Sequence, residues 1–437
     1  MKKAAFITLG CKVNYYETEA LQDLFIREGY TLTDFNDIAH VYVINTCTVT
    51  NLSNRKSRQL IRQARRRAPE AVIAVTGCYA QVSPEELSQL EEVDLIVGTQ
   101  NRHDFPRLIE QAGMGEKVEL VDTFSDLPSF ERLTYRANRS RTRAFLKVQE
   151  GCEQFCHYCV VPLARGPARS APLPDVLTEV EEIAAAGYRE IVLTGIRLGV
   201  YADKQKGIKL AGLIQEIEKN PYLERIRLSS LEPTDLDDDL IDAISSSSKV
   251  CRQLHIPLQS GSDYILNKMN RPYHTDQYSY LIKKLRKLMP GIALGTDVMV
   301  GFPGEDEEHH RESYNFIQKI NFSRLHVFRF SPRPRTKAAN MAGQVPPPVR
   351  EARWQEINEL GAQMATAYRD MFLQNKVKVL VERLSSEDKY IEGLTEHYLK
   401  VRAQLDTSPG EWRGMMVWMK VINTEIEPMQ GIFLSQA

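Results

Sequence analysis

The sequence lacks the features that would place it in a membrane, in an exported disulfide scaffold or in a disordered class. Its first residues, MKKAAFITLGCKVNYYE, hold two lysines and a short apolar run that soon reaches polar residues, which fits neither a signal peptide nor a membrane span. Seven cysteines among 437 residues, without an export signal, argue against a disulfide framework. The composition, 43% hydrophobic and 26% charged, is near the globular average. We therefore expect a cytoplasmic globular protein of two or three domains, without a membrane partner.

An excess of charge of either sign is also missing. The 56 basic and 57 acidic residues leave a net charge of -1, so the overall electrostatics gives no reason to expect a polyanionic partner. Locally, however, residues 54–67 contain seven basic residues and residues 132–147 contain six, and neither run contains an acid. The arginines of the first run fall largely on one face of a predicted helix. Either run could be a solvated surface or a set of phosphate contacts.

The first part of the chain predicts a small parallel α/β domain. Apolar runs typical of buried strands, AAFITLG, HVYVINT and AVIAVTG, alternate with helical stretches, and residues 93–97 add a fourth strand. Cys11, Cys47 and Cys78 each follow one of the first three strands. Because the carboxyl ends of parallel strands line one crevice, we expect these three thiols to converge.

The rest of the chain predicts two further units. Residues 113–140 are weakly periodic and are predicted to form a linker. Six strands, AFLKVQ, EIVLTG, RIRLSS, QLHIPL, ALGTDVMVG and RLHVFRF, then alternate with helices, which predicts a partial (βα)6 barrel with its chemistry on the loops after the strands. After a helix that ends near residue 372, five short strands indicate a small antiparallel β-barrel, which could bind RNA or only pack against its neighbour. The fold class is α/β, with predicted domains at 1–125, 126–372 and 373–437.

The spacing Cys152-x3-Cys156-x2-Cys159 is the strongest chemical motif in the chain. It places three thiolates on one compact loop after the first barrel strand, and a cubane iron-sulfur cluster with three protein ligands leaves one iron open. A zinc loop with His157 as the fourth ligand is the alternative. Structural zinc usually takes two paired Cys/His modules, and the sequence contains no second pair.

Over nearly its whole length the sequence resembles the radical SAM methylthiotransferase family. The segments that carry the resemblance are TLGCKVNYYETE, VINTCTVT, VTGCYAQ, EGCEQFCHYCVVPLARGPARS, RLSSLEP, HIPLQSGS, MNRPY and VGFPGE. That family joins an N-terminal cluster domain, a radical S-adenosylmethionine (SAM) barrel and a C-terminal TRAM domain. The resemblance implies that the iron left open by Cys152, Cys156 and Cys159 binds SAM, whose one-electron cleavage gives a 5'-deoxyadenosyl radical.

The resemblance also implies further site residues. Cys11, Cys47 and Cys78 are expected to hold a second 4Fe-4S cluster, whereas Cys251 has no such partner and is predicted to be structural. SAM contacts are predicted at the barrel strand ends, where each residue could instead serve a turn: Gly195, Ser230, Glu232, Gln259, Gly301 and Gly304. RNA contacts are predicted for Arg58, Arg62, Arg65, Arg165 and Arg169, of which the last two could also pair with a carboxylate.

The reaction that the resemblance implies replaces an aromatic C–H by S–CH3. One SAM methylates the cluster sulfur, a second SAM yields the radical, and a low-potential electron donor is required. Segments AFLKVQEGC and GLTEHYLKV are most similar to the branch that modifies threonylcarbamoyl-adenosine at position 37, beside the tRNA anticodon. Isopentenyl-adenosine in tRNA, an aspartate of a ribosomal protein, and a zinc-dependent RNA-binding protein without enzymatic activity are the alternatives.

Overall fold

The N-terminal part of the protein is a parallel sheet with helices on both faces. The computed structural model describes residues 2–124, 129–133, 141–406 and 410–437. Six parallel strands pair in the order β2-β1-β3-β4-β5-β6. They are β1 (Lys3–Thr8), β2 (Thr31–Thr33), β3 (Val41–Thr46), β4 (Val72–Gly77), β5 (Leu95–Val97) and β6 (Val118–Leu120). The helices are α1 (Lys12–Arg27), α2 (Asn51–Arg67), α3 (Cys78–Val82), α4 (Pro84–Ser88) and α5 (Phe105–Gly113).

The position of the cysteines follows from this sheet. Strand β3 is buried along its whole length, as expected for a central strand covered on both faces. Its neighbours are β1 and β4, so the three strands that precede the N-terminal cysteines lie side by side. The predicted linker is wrong in one respect, because residues 118–120 form the edge strand β6, which pairs with β5. The run is too short for its period to be evident in the sequence.

The central part is a partial barrel of six parallel strands surrounded by helices. Its main strands are β7 (Ala144–Lys147), β10 (Glu190–Thr194), β13 (Arg225–Leu228), β14 (Gln253–His255), β15 (Ala293–Val300) and β16 (Arg324–Arg329). Short pairs are formed by β8 (Gln149–Glu150), β9 (Arg169–Ser170), β11 (Ala202–Asp203) and β12 (Ile208–Lys209). The helices are α6 (Val161–Arg165), α7 (Leu173–Ala185), α8 (Leu210–Glu218), α9 (Asp238–Ser246), α10 (Asp263–Lys268), α11 (Thr275–Leu288), α12 (Glu307–Ile320) and α13 (Pro347–Asp370).

The barrel consists of two three-stranded sheets, β13-β10-β7 and β14-β15-β16. A parallel bridge between Ile226 and Val250 connects them. Side chains alternate along each strand, so Leu294 and Val298 of β15 pack in the core beneath the helices, whereas Gly295 and Asp297 face the lumen. Polar side chains in the lumen are therefore available to a ligand. The six predicted strands and the incomplete closure are confirmed.

The C-terminal part is a closed antiparallel barrel with the strand order β17-β18-β19-β21-β20, in which β19 and β21 alone pair in parallel. Its strands are β17 (Lys376–Ser385), β18 (Tyr390–Thr395), β19 (Lys400–Gln404), β20 (Met416–Asn423) and β21 (Met429–Gln436). Arg225 and Arg227 of β13 donate to the carbonyls of Leu394 and Thr395 at 3.0 and 3.1 Å, so the turn after β18 lies against the amino end of the partial barrel.

The predicted domain boundaries stay a prediction, and the first of them, between residues 125 and 126, lies outside the described residues. In the described part of the chain no helix has the length and apolarity that crossing a membrane requires.

Candidate cluster-binding and active site

The three N-terminal cysteines meet at one edge of the parallel sheet. Cys11 precedes α1, Cys47 directly follows β3, and Cys78 is the first residue of α3, directly after β4. A Cβ added to Gly10 would lie 3.0 Å from the Cβ of Cys47 and 3.3 Å from its Sγ, so the first cysteine loop passes closely over the second. Cys47 and Cys78 are buried and Cys11 is exposed. The expected convergence is present, and the crevice opens on the side of Cys11.

The protonation equilibria of these thiols reflect the same convergence. Burial raises the pKa of Cys47, and the neighbouring thiol of Cys11 raises it further. Burial raises the pKa of Cys78 to about 12, with Arg165 opposing the shift and the other two thiols adding to it. Thiols that disfavour one another's ionisation in this way are suited to a positively charged iron centre, because metal ligation requires the thiolate form.

The second triplet occupies a compact loop after β8. The amide of Cys152 donates to the carbonyl of Gly166 at 3.0 Å, and the amide of Cys159 donates to the carbonyl of Cys156 at 2.9 Å. Burial, followed by the neighbouring Cys156, raises the pKa of Cys159 to about 12. The loop is thus fixed by backbone hydrogen bonds, and the backbone amides of Gln154 and Val161 also donate to the sulfurs of Cys152 and Cys159.

The residues considered for a single metal ion are placed differently. His157, the fourth ligand of the zinc alternative, has its Nδ1 2.8 Å from the carbonyl of Lys268. Within the described ranges, the group of potential ligand atoms that lie within 4.8 Å of one another is that of His255, Asp297 and His326, which contains none of the cysteines.

Two buried arginines donate to cysteine sulfurs. Nε of Arg165 lies 3.2 Å from Sγ of Cys78, and Nη1 of Arg271 lies 3.2 Å from Sγ of Cys156. Arg271 also pairs with Glu232. Sequence reasoning did not single out Arg271, although it lies in the MNRPY segment that contributes to the resemblance. Hydrogen bonds to ligand sulfurs stabilise the electron-rich form of a cluster, so both arginines are placed to tune one.

Arg165 belongs to a buried ionic network between the sheet domain and the partial barrel. Its Nη1 lies 2.5 Å from Glu17 of α1 and 2.9 Å from Glu150 of β8. Lys147 lies 3.3 Å from Glu17 and 3.1 Å from Glu150, and Arg102 lies 2.6 Å from Glu17. Burial alone would raise the pKa of Glu17, but the positive charges of Arg102, Arg165 and Lys147 hold it well below its usual value. The network therefore holds both glutamates ionised.

This network corrects the prediction of RNA contacts for two residues. Arg165 has no exposed surface and pairs with carboxylates, so it cannot contact RNA in this structure. The alternative of a carboxylate partner is the one that is present. The side chain of Arg169 is also almost fully buried and lies 3.4 Å from Glu150. The sequence shows that these two residues are basic, but it does not show that other parts of the fold bury them.

The predicted SAM contacts lie at the carboxyl ends of the barrel strands, as expected. Gly195, Ser230, Glu232, Gln259 and Gly301 follow β10, β13, β14 and β15, on the side of the cluster loop. Gln259, Gly301 and Gly304 have positive φ values of 66°, 72° and 87°. A Cβ on Gly195, Gly301 or Gly304 would clash with Gln149, Arg350 or Lys268 respectively, so packing explains these three glycines without a ligand. Contact of any of the six with SAM stays a prediction.

The basic helix α2 exposes a different set of arginines from the predicted one. Arg65 is turned inward, since its guanidinium donates to the carbonyl of Ala71 at 2.9 Å and lies 2.6 Å from Asp94. Arg58 donates to the hydroxyl of Tyr79 at 2.8 Å and is partly covered. One face of the helix is exposed along its length and is hereafter called the α2 stripe: Arg55, Gln59, Arg62 and Arg66. Arg62 lies 3.6 Å from Glu92, so Arg55 and Arg66 are the cations of the stripe without a carboxylate partner among the described residues.

In the second basic run, residues 132–147, the cations of the described residues are paired with carboxylates. Residues 134–140 of this run lie outside the described residues. The remaining cations have carboxylate partners: Arg132 with Asp175, Arg141 with Glu19, Arg143 with Glu382 and Lys147 with Glu17. Of the two predicted basic runs, α2 therefore presents the clearer phosphate-binding surface.

Comparison with known proteins agrees with this geometry. The model of a family described as uncharacterized protein family UPF0004 matches residues 3–98, and that of the radical SAM superfamily matches residues 146–317. The threonylcarbamoyladenosine tRNA methylthiotransferase MtaB of Bacillus subtilis (strain 168) is 43% identical over 408 residues, which cover 92% of this chain and 90% of that protein. MtaB of Aquifex aeolicus (strain VF5) is 39% identical and covers 92% of this chain and 97% of that protein.

Other similar proteins are more distant. The tRNA-2-methylthio-N(6)-dimethylallyladenosine synthase of Acetivibrio thermocellus is 36% identical, with 92% of this chain and 85% of that protein covered. Among solved structures, the radical S-adenosylmethionine methyltransferase TsrM from Kitasatospora setae superposes with a TM-score of 0.57 at 17% identity, covering 78% of this chain and 77% of that one. This last similarity is one of fold.

Proposed function

The chain belongs to the radical SAM methylthiotransferase family, and from this we propose that it converts N6-threonylcarbamoyl-adenosine at position 37 of tRNA to its 2-methylthio derivative. The observation that carries the proposal is the presence of two cysteine triplets, one at the end of the parallel sheet and one after the first barrel strands. Relatives named for the threonylcarbamoyl substrate reach 43% and 39% identity, above the 36% of the relative named for the dimethylallyl substrate.

The residues have distinct roles in this proposal. Cys152, Cys156 and Cys159 hold the 4Fe-4S cluster that binds SAM, and Cys11, Cys47 and Cys78 hold a second one that carries the sulfur. When bound, the first group would supply the radical that removes the hydrogen from C2 of the base, and the second would supply the methylated sulfur that takes its place. Arg271 and Arg165 donate to the sulfurs of Cys156 and Cys78 and orient the two loops.

The tRNA is proposed to lie along the α2 stripe. Helix α2 begins at Asn51, four residues after Cys47, so its exposed cations lead from solvent towards the N-terminal triplet. Adenosine 37 already lies in a single-stranded loop, so phosphate contacts and stacking can present it without opening a duplex. A low-potential protein electron donor completes the set of proposed partners.

The reconstituted enzyme tests the proposal directly. The purified protein, with its clusters, SAM and dithionite under anaerobic conditions, is given anticodon stem-loop RNAs that carry threonylcarbamoyl-adenosine, dimethylallyl-adenosine or adenosine at position 37. We expect methylthiolation of the first alone, detected by nucleoside mass spectrometry. Modification of the dimethylallyl RNA alone would contradict the substrate, and transfer to a ribosomal protein without any change in RNA would contradict the substrate class.

A further inference from the structure

The lumen of the partial barrel holds a polar cluster that the cysteine chemistry does not use. His255, Asp297 and His326 lie on the neighbouring strands β14, β15 and β16. Nε2 of His255 and Nδ1 of His326 lie 3.0 and 3.4 Å from the same oxygen, Oδ1 of Asp297. Each imidazole thus points one nitrogen at the carboxylate. Nδ1 of His255 and Nε2 of His326 are left for another partner.

A cation without a carboxylate partner lies beside this cluster. Arg324 precedes His326 by two residues on β16, shares its lumen face and is exposed. No carboxylate of the described residues lies within ion-pair distance of it. Its guanidinium is 5.6 Å from the centre of the Tyr398 ring, which lies in the turn after β18. Arg324 is therefore held at the floor of the lumen while its charge stays unmatched.

Three guanidinium groups surround the ring of Tyr398. Arg143 and Arg227 lie 5.6 and 4.9 Å from the ring, and these two are matched by Glu382 and Glu190. Burial would raise the pKa of Tyr398, but the positive charges, with Arg143 first, bring it below its usual value. Of the three arginines, Arg324 is therefore the one whose charge is left for an anion that enters the lumen.

Gly295 leaves space between His255 and Arg324, the two side chains that could bind an anion. It lies on β15 between β14 and β16, and a Cβ added there would lie 3.1 Å from Nδ1 of His255 and 3.9 Å from the Cβ of Arg324. The free nitrogen of His255 and the stem of Arg324 thus border one gap over a residue without a side chain. The gap is open to the lumen, whose upper rim carries the cluster loop.

We propose that His255, Asp297, Arg324 and His326, the lumen patch, bind the threonylcarbamoyl group of the substrate base. Arg324 pairs with the carboxylate of that group, and the free imidazole nitrogens bond to its hydroxyl and ureido groups, while Asp297 orients both rings. This assignment rests on the proposed function. A dimethylallyl group is a hydrocarbon and offers no partner to Arg324, so the patch selects between the two substrates, since unpaired polar groups disfavour the wrong ligand.

The proposal is tested by removing the carboxylate from the RNA and the guanidinium from the protein in turn. Binding of the cluster-loaded protein is measured by fluorescence anisotropy with two anticodon stem-loops, one with the threonylcarbamoyl acid and one with its neutral carboxamide. We expect the wild type to bind the acid about tenfold more tightly than the amide, as one charge-assisted pair would provide. Arg324→Gln should bring this ratio close to one, and Arg324→Lys should restore part of it.

The control is Arg329→Gln, on the same strand but the opposite face, where Arg329 pairs with Glu351 of α13. It should keep the wild-type ratio. In Arg324→Gln the affinity for the amide stem-loop should stay at the wild-type value and only the affinity for the acid should fall. A variant that folds poorly would instead lose affinity for both stem-loops.

Several outcomes overturn the assignment. Equal binding of acid and amide by the wild type would do so, as would an unchanged ratio in Arg324→Gln. One equivalent of a divalent metal other than iron, lost in His326→Gln, would assign the patch to a metal instead. Failure of the proposed function looks different, because the wild type would then methylthiolate the dimethylallyl RNA and leave the threonylcarbamoyl RNA unmodified.

Discussion

Nε of Arg165 donates to Sγ of Cys78 at 3.2 Å, although the two residues come from different domains. The same guanidinium pairs with Glu17 of α1 and with Glu150, two residues before Cys152. One buried cation therefore contacts one cysteine loop and the strand that leads into the other. Since a guanidinium has a fixed fork geometry, it sets the relative position of the two loops more tightly than a flexible lysine would.

Replacement of Arg165 by Gln should destabilise the protein and change the cluster next to Cys78. Two buried carboxylates, Glu17 and Glu150, each lose one cationic partner, although Arg102 and Lys147 remain beside them. We expect a loss of about 3 kcal/mol in the free energy of unfolding. The lost hydrogen bond to sulfur should also lower the reduction potential of the N-terminal cluster. Thermal unfolding of the anaerobic holoprotein and an EPR-monitored redox titration measure the two effects.

Arg132→Gln is the control for this change, because Arg132 pairs with Asp175 at 2.7 Å on the exposed surface. A loss of at most about 0.5 kcal/mol is expected there. If both variants unfolded at the same temperature and the potential did not move, Arg165 would not couple the two loops.

The two cysteine triplets should be separable by their iron content. Cys47→Ala is expected to lose about half of the iron yet to cleave SAM to 5'-deoxyadenosine, because the SAM-binding cluster remains. Cys156→Ala should also lose about half of the iron, but it should give no 5'-deoxyadenosine because the SAM-binding cluster is the one that is lost. Cys251→Ala is the matched control, since Cys251 is buried and free like Cys47 and is proposed to have no iron. Full iron in Cys47→Ala, or loss of iron in Cys251→Ala, would contradict the ligand assignment.

The α2 stripe should carry a salt-dependent part of tRNA affinity. Arg62→Glu combined with Arg66→Glu is expected to weaken binding and to reduce the slope of log K against log salt by about 2, one for each phosphate contact. The control is Lys283→Glu with Lys287→Glu, an exposed pair of the same spacing on α11. If both double variants weakened tRNA binding equally, the loss of affinity would come from the change in net charge, and the RNA would not bind at the α2 stripe.

The buried carboxyl of Glu179 should make the stability of the protein depend on pH. Burial raises the pKa of this carboxyl to about 8, and the hydroxyl of Tyr16 donates to it at 3.4 Å. The folded state therefore keeps a proton that the unfolded chain releases near its usual pKa of about 4.3. Stability is greatest below that value and falls as the pH rises towards 8. Glu179→Gln should remove this loss and stabilise the protein at pH 8 by about 2 kcal/mol, with a smaller gain at pH 6.

Chemical denaturation at the two pH values measures this gain. Glu181→Gln, on the exposed side of the same helix, is the control and should change little at either pH. A constant difference between wild type and Glu179→Gln from pH 6 to 8 would show that the carboxyl is already ionised in the fold.

Much of the candidate site could be predicted because it depends on local order along the chain. Cys11, Cys47 and Cys78 each follow a strand, and parallel strands place their carboxyl ends at one edge, so convergence required no long-range information. The five strands of the C-terminal barrel were also evident, since their alternation is short-ranged.

The orientation of charged side chains was not predictable in the same way. Helix α2 was expected from its period, but Arg65 is turned inward by the carbonyl of Ala71 and by Asp94, which come near it only in the folded sheet. Arg165 is buried by α1, distant in sequence. The lumen patch was even less predictable from the sequence, because His255, Asp297 and His326 become neighbours only through the pairing of three strands.

The most direct measurement of the central claim is mass spectrometry of tRNA nucleosides from host cells with and without this gene, and from deleted cells that express the wild type or Cys47→Ala. The proposed function predicts that 2-methylthio-threonylcarbamoyl-adenosine disappears on deletion while its unmethylthiolated precursor accumulates. The wild type should restore it and Cys47→Ala should not. Loss of 2-methylthio-dimethylallyl-adenosine instead, or no change in any nucleoside, would contradict the assignment.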